Sequence, residues 1–242
     1  MKVGLFITCL VDGVFPSVGT AMMTLLKRLD IEVGVPMRQT CCGQMHINSG
    51  YASMALPLIE NQIAAFSEYD VIVAPSASCV GTVRHQYAAL AAESGDATLI
   101  ARAASLANRT YELSEFLVDV LGRIDVGAYF PHSVTYHPTC HSLRALGVGD
   151  RPESLLRAVD GLTLVPLEDS TTCCGFGGTF ALKNSDVSVA MLSDKVARVT
   201  ATNAEVVSSC DSSCLMQIGG GLSRSDAPTK PLHLAEILAA SK

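Results

Sequence analysis

The chain has 242 residues, of which 49% are hydrophobic and 17% charged, and it contains no tryptophan. This length allows one compact body or two small domains. Charged residues, prolines or glycines interrupt every apolar run before it reaches the roughly 20 residues of a membrane span, so we expect no transmembrane segment. The net charge of −6 and the lack of a basic cluster argue against nucleic acid as a partner.

The predicted elements of the first half begin with a buried strand at residues 2–8. A helix at 17–30 follows, because Val18, Met22, Leu25, Leu26 and Leu29 fall on one helical face. A short strand at 31–35, a helix at about 50–68 and a strand at 71–74 complete this half. Residues 87–120 are alanine-rich and predict additional helix, and residues 122–131 predict a linker.

The second half has the same order of predicted elements. Its strands are expected at residues 134–137, 162–167 and 205–207, with one helix through Leu155 and Leu156 and another through Met191 and Val196. Short apolar strands that alternate with helices predict parallel strands covered on both faces. The expected fold class is therefore α/β, with two tandem duplicated β-α-β-α-β units, the first at residues 1–121 and the second at 132–242.

The cysteines repeat along with the elements. Each half has a single cysteine, a Cys-Cys-Gly doublet and a final cysteine; these residues are Cys9, Cys41, Cys42 and Cys79, then Cys140, Cys173, Cys174 and Cys214, with Cys210 as a further candidate. The first cysteine precedes the doublet by 32 positions in one half and by 33 in the other. A repeated spacing of this kind indicates duplication of one structural unit.

Each of these cysteines lies just beyond the carboxyl end of a predicted strand. In a parallel sheet these ends share one edge, where open α/β folds place their ligands. Three loops are therefore expected to bring four thiols together in each half. Aligning the last predicted strands makes Cys214 the equivalent of Cys79, and Cys210 is then either a fifth ligand or a small buried residue.

The nine cysteines indicate metal binding rather than disulfides. Residues 1–9 have a short apolar stretch without a following cleavage site, so we expect a first strand and a cytoplasmic protein whose thiols stay reduced. Clustered thiolates select zinc or iron–sulfur clusters. Adjacent cysteines fit poorly the usual ligand spacing of structural zinc sites, which favours an iron–sulfur cluster over zinc. The spacing leaves the cluster type open.

Other residues near the cysteines have two possible roles. Gly43, Gly175, Gly177 and Gly178 would let backbone amides point at sulfur and stabilise its negative charge, or would merely reverse the chain. Three histidines lie close in sequence to the expected ligands; they are His46, His137 and His141. Each could donate a hydrogen bond to sulfide or relay a proton, or could simply be packed in the core.

The duplicated cysteine pattern resembles the cysteine-rich (CCG) domain family, which includes the heterodisulfide reductase B subunit. Further stretches are similar to the lactate utilization protein A group of that family; they are Gln44, Ile47-Asn48-Ser49-Gly50-Tyr51, Tyr136-His137-Pro138, Cys173-Cys174-Gly175-Phe176-Gly177-Gly178-Thr179-Phe180 and Ser213-Cys214-Leu215. The resemblance covers nearly the whole chain. It implies the eight ligand cysteines given above, with one iron–sulfur cluster in each repeat.

The resemblance also implies an electron-transfer subunit of a complex that oxidises L-lactate to pyruvate. The implied partners are a ferredoxin-like iron–sulfur subunit and a third lactate-utilization subunit. Because no Gly-x-Gly-x-x-Gly motif follows a strand, the chain is not expected to oxidise an organic substrate unaided. The alternatives are a cluster-based thiol/disulfide reductase, an electron-transfer subunit for another 2-hydroxy acid such as glycolate, and a zinc-stabilised scaffold.

One departure weakens the reductase alternative. Heterodisulfide reductase B subunits end each repeat in Cys-x-x-Cys, whereas Cys79 is followed by Val80-Gly81-Thr82. The first repeat therefore lacks the fifth cysteine of those relatives, and the non-cubane cluster that the fifth cysteine helps to hold is not expected there.

Overall fold

The computed structural model describes all 242 residues, which divide into two units, Met1–Phe116 and Leu117–Lys242. Each unit contains one four-stranded sheet whose strands are all parallel, with helices between successive strands. The predicted α/β class with a duplicated parallel-sheet unit is confirmed. No helix is long and apolar enough to cross a lipid bilayer.

The first unit alternates short strands and helices. Its strands are β1 (Val3–Leu5), β2 (Val33–Gly34), β3 (Val71–Ala74) and β4 (Thr110–Glu112). Its helices are α1 (Cys9–Gly13), α2 (Pro16–Arg28), α3 (Gln44–Asn48), α4 (Leu56–Ala65), α5 (Ala77–Glu93), α6 (Ala97–Asn108) and α7 (Leu113–Glu115), and a 3₁₀ turn at Ala52–Ala55 precedes α4. Pro16 at the start of α2 suits that position, because the first turn needs no backbone donor.

The second unit repeats this arrangement. Its strands are β5 (Ser133–Tyr136), β6 (Thr163–Val165), β7 (Val206–Ser209) and β8 (Lys230–His233). Its α-helices are α8 (Arg151–Arg157), α9 (Phe180–Lys183), α10 (Ser185–Ala201), α11 (Ser212–Arg224) and α12 (Leu234–Ala239). Two π-helical segments, Phe116–Val120 and His141–Leu146, accompany them.

Strand order and register are the same in both units. The orders are β2-β1-β3-β4 and β6-β5-β7-β8. Val3 of β1 pairs with Val71 of β3, and Val134 of β5 pairs with Val206 of β7. The duplication inferred from cysteine spacing is therefore present in the backbone pairing as well.

Each sheet has a fourth strand that the sequence pattern did not predict. The expected all-helical segment 87–120 is wrong in part, because it contains β4 between α6 and α7. The strand β8 includes Pro231, which an edge strand tolerates because one row of its backbone groups is unpaired. Both strands are short, and they are stabilised by pairing with β3 and β7 and not by the strand propensity of their own residues.

A capping box follows the fourth strand in each unit. Glu112 caps α7 while the Glu115 carboxylate accepts from the Glu112 N–H at 3.0 Å. His233 caps α12 in the same way, and the Glu236 carboxylate accepts from the His233 N–H at 2.9 Å. Reciprocal bonds of this type satisfy backbone donors that a helix start leaves unpaired.

The two boxes differ in one ion pair, which yields a prediction. Glu115 also accepts from Arg84 at 2.9 Å, and both side chains are largely buried. Replacing Glu236 with Ala removes a cap bond and should cost about 1 kcal/mol. Glu115→Ala also leaves a largely buried Arg84 without its carboxylate, and should cost roughly 2–4 kcal/mol in denaturant unfolding. Equal costs for the two variants would contradict this account.

Candidate metal centre

The strand ends of the first unit position its cysteines. Cys9 is the first residue of α1, which follows β1, and the doublet Cys41-Cys42 lies in the loop between β2 and α3. Cys79 is the third residue of α5, which follows β3 directly. The hydroxyl of Ser76 caps that helix by accepting from the Cys79 N–H at 3.2 Å. The cap fixes the backbone of Cys79 in the first turn.

The four thiols of the first unit form a continuous series of hydrogen-bonded neighbours. Cys41 accepts hydrogen bonds from the thiols of Cys42 and Cys9, and these bonds lower the pKa of Cys41. The same contacts raise the pKa values of Cys9 and Cys42. Cys42 is also hydrogen-bonded to Cys79. The order of contacts is therefore Cys9, Cys41, Cys42, Cys79, without a break.

The four thiols of the second unit have the same arrangement. Cys173 accepts hydrogen bonds from Cys140 and Cys174, which lower its pKa, while the pKa values of Cys140 and Cys174 are raised by their bonds to Cys173. The sulfurs of Cys174 and Cys214 are 3.2 Å apart. In both units the first cysteine of the doublet carries the most stabilised thiolate.

A glycine after each doublet contributes a backbone donor. Gly43 has φ +84° and Gly175 has φ +86°. This is a left-handed backbone conformation that residues other than glycine rarely adopt. The N–H groups of Gly43 and Gly175 point at the sulfurs of Cys41 and Cys173, each at 3.4 Å. A Cβ on Gly175 would also lie 2.6 Å from the Ser188 carbonyl oxygen.

Two further glycines turn the chain after the second doublet. Gly177 and Gly178 both have positive φ, +54° and +65°, and lead into α9. The Gly177 carbonyl accepts from the Phe180 N–H at 3.2 Å. Of the four glycines expected to direct amides at sulfur, Gly43 and Gly175 have that contact, and Gly177 and Gly178 form the turn.

Polar side chains hold the first doublet loop in place by hydrogen bonds to its backbone and to β1. The Gln39 amide accepts from the Ile7 N–H at 2.8 Å and so ties this loop to the end of β1. Gln62 on α4 donates to the carbonyl of Thr40 at 2.7 Å, and Tyr87 on α5 donates to the carbonyl of Cys42 at 3.0 Å. The sequence offered no signal for these roles, because the residues become neighbours of the doublet only through the fold.

A buried lysine fastens the second doublet loop. Lys195 on α10 is fully buried and donates to the carbonyls of Asp169 and Ser170, each at 3.2 Å. Arg198, one turn further along, pairs with the Asp169 carboxylate at 2.9 Å. The Lys195 ammonium also interacts electrostatically with Cys174 and Cys140, so a buried positive charge faces the thiols.

The strand register resolves which cysteine matches Cys79. Val71 and Val206 hold equivalent positions in their sheets, and eight residues beyond each lie Cys79 and Cys214. Both are the third residue of the helix that follows. Cys210 corresponds to Pro75; it is fully buried, with its sulfur 4.0 Å from the Thr139 hydroxyl.

The three histidines flagged in the sequence have different surroundings. His137 is fully buried, and burial lowers its pKa to about 3, so the ring is neutral. One ligand atom each from His137, Cys174 and Cys214 lie within 4.8 Å of one another. His46 is half-buried and interacts electrostatically with Cys41. His141 opens the π-helical segment after Cys140.

The donor set of each site fits a metal or an iron–sulfur cluster. Four thiols in contact would repel one another once ionised, and a bound cation removes that repulsion. Soft sulfur donors select zinc, Cu(I) or iron–sulfur clusters over magnesium and calcium. The glycine N–H groups supply hydrogen bonds to sulfur of the kind that stabilise bound clusters.

Comparison with known proteins matches this site to a described family. The sequence profile of the CCG cysteine-rich domain matches residues 3–84 and again residues 134–219. The chain belongs to the CCG family. The two matches contain both doublets and all nine cysteines, so the CCG domain is present twice.

Curated relatives are similar to this chain over almost their full length. A protein of Exiguobacterium sp. is 48% identical over 98% of this chain and 96% of its own, and one of Bacillus velezensis is 46% identical over 98% and 99%. One of Oceanobacillus iheyensis is 45% identical over 98% and 96%. All three are named lactate utilization protein A. Among solved structures, an aspartate racemase homologue from Pyrococcus horikoshii aligns with 10% identity and a TM-score of 0.33 over 98% and 95% of the two chains.

The equivalence of Cys79 and Cys214 gives a prediction about metal content. Cys214→Ser should reduce bound metal to the amount held by the first site, because a ligand thiolate contributes to binding and to the order of its loops. Cys210→Ser should leave metal content unchanged and cost on the order of 1 kcal/mol, as expected for a buried residue outside the coordination shell.

The matched control is Cys79→Ser, which should empty the first site and spare the second. Metal analysis of the anaerobically purified variants measures all three effects. Loss of metal with Cys210→Ser and its retention with Cys214→Ser would show that the ligand is Cys210.

Proposed function

We propose that each group of four cysteines holds one iron–sulfur cluster and that the chain transfers electrons within a complex oxidising L-lactate to pyruvate. The observation that carries this proposal is the pair of matching four-thiol sites in a chain whose relatives are named for lactate utilization. When bound, an iron–sulfur cluster accepts and donates single electrons. The eight ligands are Cys9, Cys41, Cys42 and Cys79 in the first site, and Cys140, Cys173, Cys174 and Cys214 in the second.

The chain's own residues are suited to holding a negatively charged cluster. The N–H groups of Gly43 and Gly175 donate to ligand sulfurs, and the buried ammonium of Lys195 faces the second site. Hydrogen bonds and positive charge near the sulfurs favour the reduced state, which carries one more electron. The fastened doublet loops limit movement of the thiolates, which lowers the cost of reorganisation on electron transfer.

Oxidation of lactate to pyruvate releases two electrons and two protons, and this chain offers no hydride-accepting cofactor site of the Gly-x-Gly-x-x-Gly type. We therefore assign substrate oxidation to the partner subunits, which we take to be a ferredoxin-like iron–sulfur protein and a third lactate-utilization protein. The nine free cysteines support placement of this complex in the cytoplasm, where thiols stay reduced.

Exposed apolar side chains support a docking role for the segment around the first doublet. Met37, Met45, Tyr51 and Met54 are all exposed, Met37 by 91%. Methionine adapts its shape and is common at protein-binding surfaces. We propose that this segment, residues 35–55, contacts the partner that exchanges electrons with the first cluster.

Anaerobic purification followed by iron, sulfide and zinc analysis tests the cofactor assignment. We expect iron and acid-labile sulfide with visible absorption that bleaches on addition of lactate when the partner subunits are present. Zinc without iron would leave only a scaffold role. A reduced cluster whose absorption returns when it passes two electrons to a disulfide substrate, with release of two thiols, and which lactate does not bleach, would favour a disulfide reductase.

The docking proposal predicts an effect of charge at two exposed methionines. The double variant Met37→Glu, Met54→Glu should weaken co-purification with the ferredoxin-like subunit by tenfold or more, because a desolvated carboxylate is costly in an interface. The matched control is Ile124→Glu, an exposed apolar residue outside the segment, which should bind normally. Unchanged binding of the double variant would exclude residues 35–55 as the contact.

A further inference from the structure

His137 is the only histidine with both ring nitrogens buried and outside hydrogen bonds of normal geometry. The side chain is 0% exposed, and neither ring nitrogen makes a hydrogen bond of normal geometry. A buried imidazole without well-formed hydrogen bonds is destabilising unless something else binds it. One ring nitrogen and the sulfurs of Cys174 and Cys214 lie within 4.8 Å of one another. The imidazole therefore lies beside the thiols, and one of its nitrogens could bind the same metal centre as the sulfurs of Cys174 and Cys214.

The duplication shows that the fold does not require an imidazole here. Phe6 is the equivalent residue in the first unit, since Cys9 follows it by three positions as Cys140 follows His137. The Phe6 N–H donates to Val73 at 2.9 Å, and the His137 N–H donates to the equivalent Ser208 at 2.8 Å. Phe6 packs edge-on against Phe66 with ring centroids 5.8 Å apart. The same backbone position thus accepts a phenyl ring where no nitrogen is needed.

We propose that His137 is a ligand of the second site, which makes the two metal centres of this chain chemically different. The first site is bound by thiolates alone, whereas the second combines four thiolates with one imidazole nitrogen. This inference rests on the metal-binding role proposed above. Histidine and cysteine ligands occur together both at zinc sites and at iron–sulfur clusters.

The surroundings of His137 match those of a histidine ligand. A ligating histidine usually directs its second nitrogen to a backbone carbonyl or carboxylate, which fixes the ring orientation. The Ser170 carbonyl faces the ring of His137, and the buried Lys195 holds that carbonyl by a 3.2 Å hydrogen bond. Lys195 therefore acts as a positioning residue for both the doublet loop and the imidazole.

Replacing a thiolate by imidazole raises the reduction potential of an iron–sulfur centre, as the mixed histidine–cysteine clusters show. The variant His137→Cys makes the reverse exchange and so isolates the effect of the imidazole. Because the buried Lys195 ammonium faces the second site and favours an added electron, we expect the second centre to be reduced before the first. In the full-length protein with reconstituted clusters, a redox titration should resolve two steps. His137→Cys should lower the potential of the second step only, and identical titration curves of this variant and the parent would overturn the proposal.

Pulsed electron paramagnetic resonance of the reduced protein tests the bond itself. We expect one strongly coupled histidine nitrogen, which changes its signature when ¹⁵N-histidine is incorporated. The coupling should disappear in His137→Phe and persist in the matched variant His46→Phe. Strong coupling that survives in His137→Phe would overturn the proposal, and so would coupling in the parent that is only as weak as a hydrogen bond produces.

Two controls distinguish failure of this inference from misfolding of the variant and from failure of the proposed function. His137→Phe inserts the residue that the first unit already holds, and its thermal unfolding should confirm that it folds. If the protein binds zinc rather than iron, substitution with cobalt(II) still reports the ligands. The ligand-field bands of one site should then shift in His137→Phe and stay unchanged in His46→Phe, whereas unchanged bands in His137→Phe would overturn the assignment.

Discussion

Contact among four thiols at the carboxyl edge of a parallel sheet is the constraint on which each unit of this protein depends. Sulfur atoms held this close cannot all ionise without a cation between them. Backbone donors, such as the Gly175 N–H at 3.4 Å from the Cys173 sulfur, stabilise one thiolate, and so do hydrogen bonds among the thiols themselves. Metal binding would then release the remaining protons and join the three loops that carry the ligands.

The loops before the doublets need support because they contain little regular structure. In the first unit Gln62 holds the carbonyl of Thr40, and in the second Lys195 holds two carbonyls ahead of Cys173. Both supporting residues lie on the helix that precedes the third strand. A neutral amide in one unit and a charged ammonium in the other give the two sites different electrostatic surroundings. Together with Phe6 and His137, this difference means that the two units keep one backbone plan but surround their cysteines with different side chains.

The sequence predicted the features that depend on local pattern and on spacing. Strand β3 was predicted with its observed bounds, and the alignment of Cys79 with Cys214 agrees with the strand register. Strands β4 and β8 were missed because they are short edge strands, stabilised by pairing with a neighbour, and one of them contains Pro231. Tyr87 and Lys195 were missed for a related reason, since each acts on a loop far away in sequence. His137 was flagged by its closeness to Cys140, but only the fold shows that neither ring nitrogen makes a hydrogen bond of normal geometry.

Anomalous X-ray diffraction from crystals grown without oxygen would test the central claim most directly, because it identifies the metal and its place together. The account predicts two peaks at the iron absorption edge, one at the carboxyl edge of each sheet. One peak should be in contact with the sulfurs of Cys9, Cys41, Cys42 and Cys79, and the other with those of Cys140, Cys173, Cys174 and Cys214. Peaks that appear at the zinc edge alone, or iron bound away from these sulfurs, would contradict it.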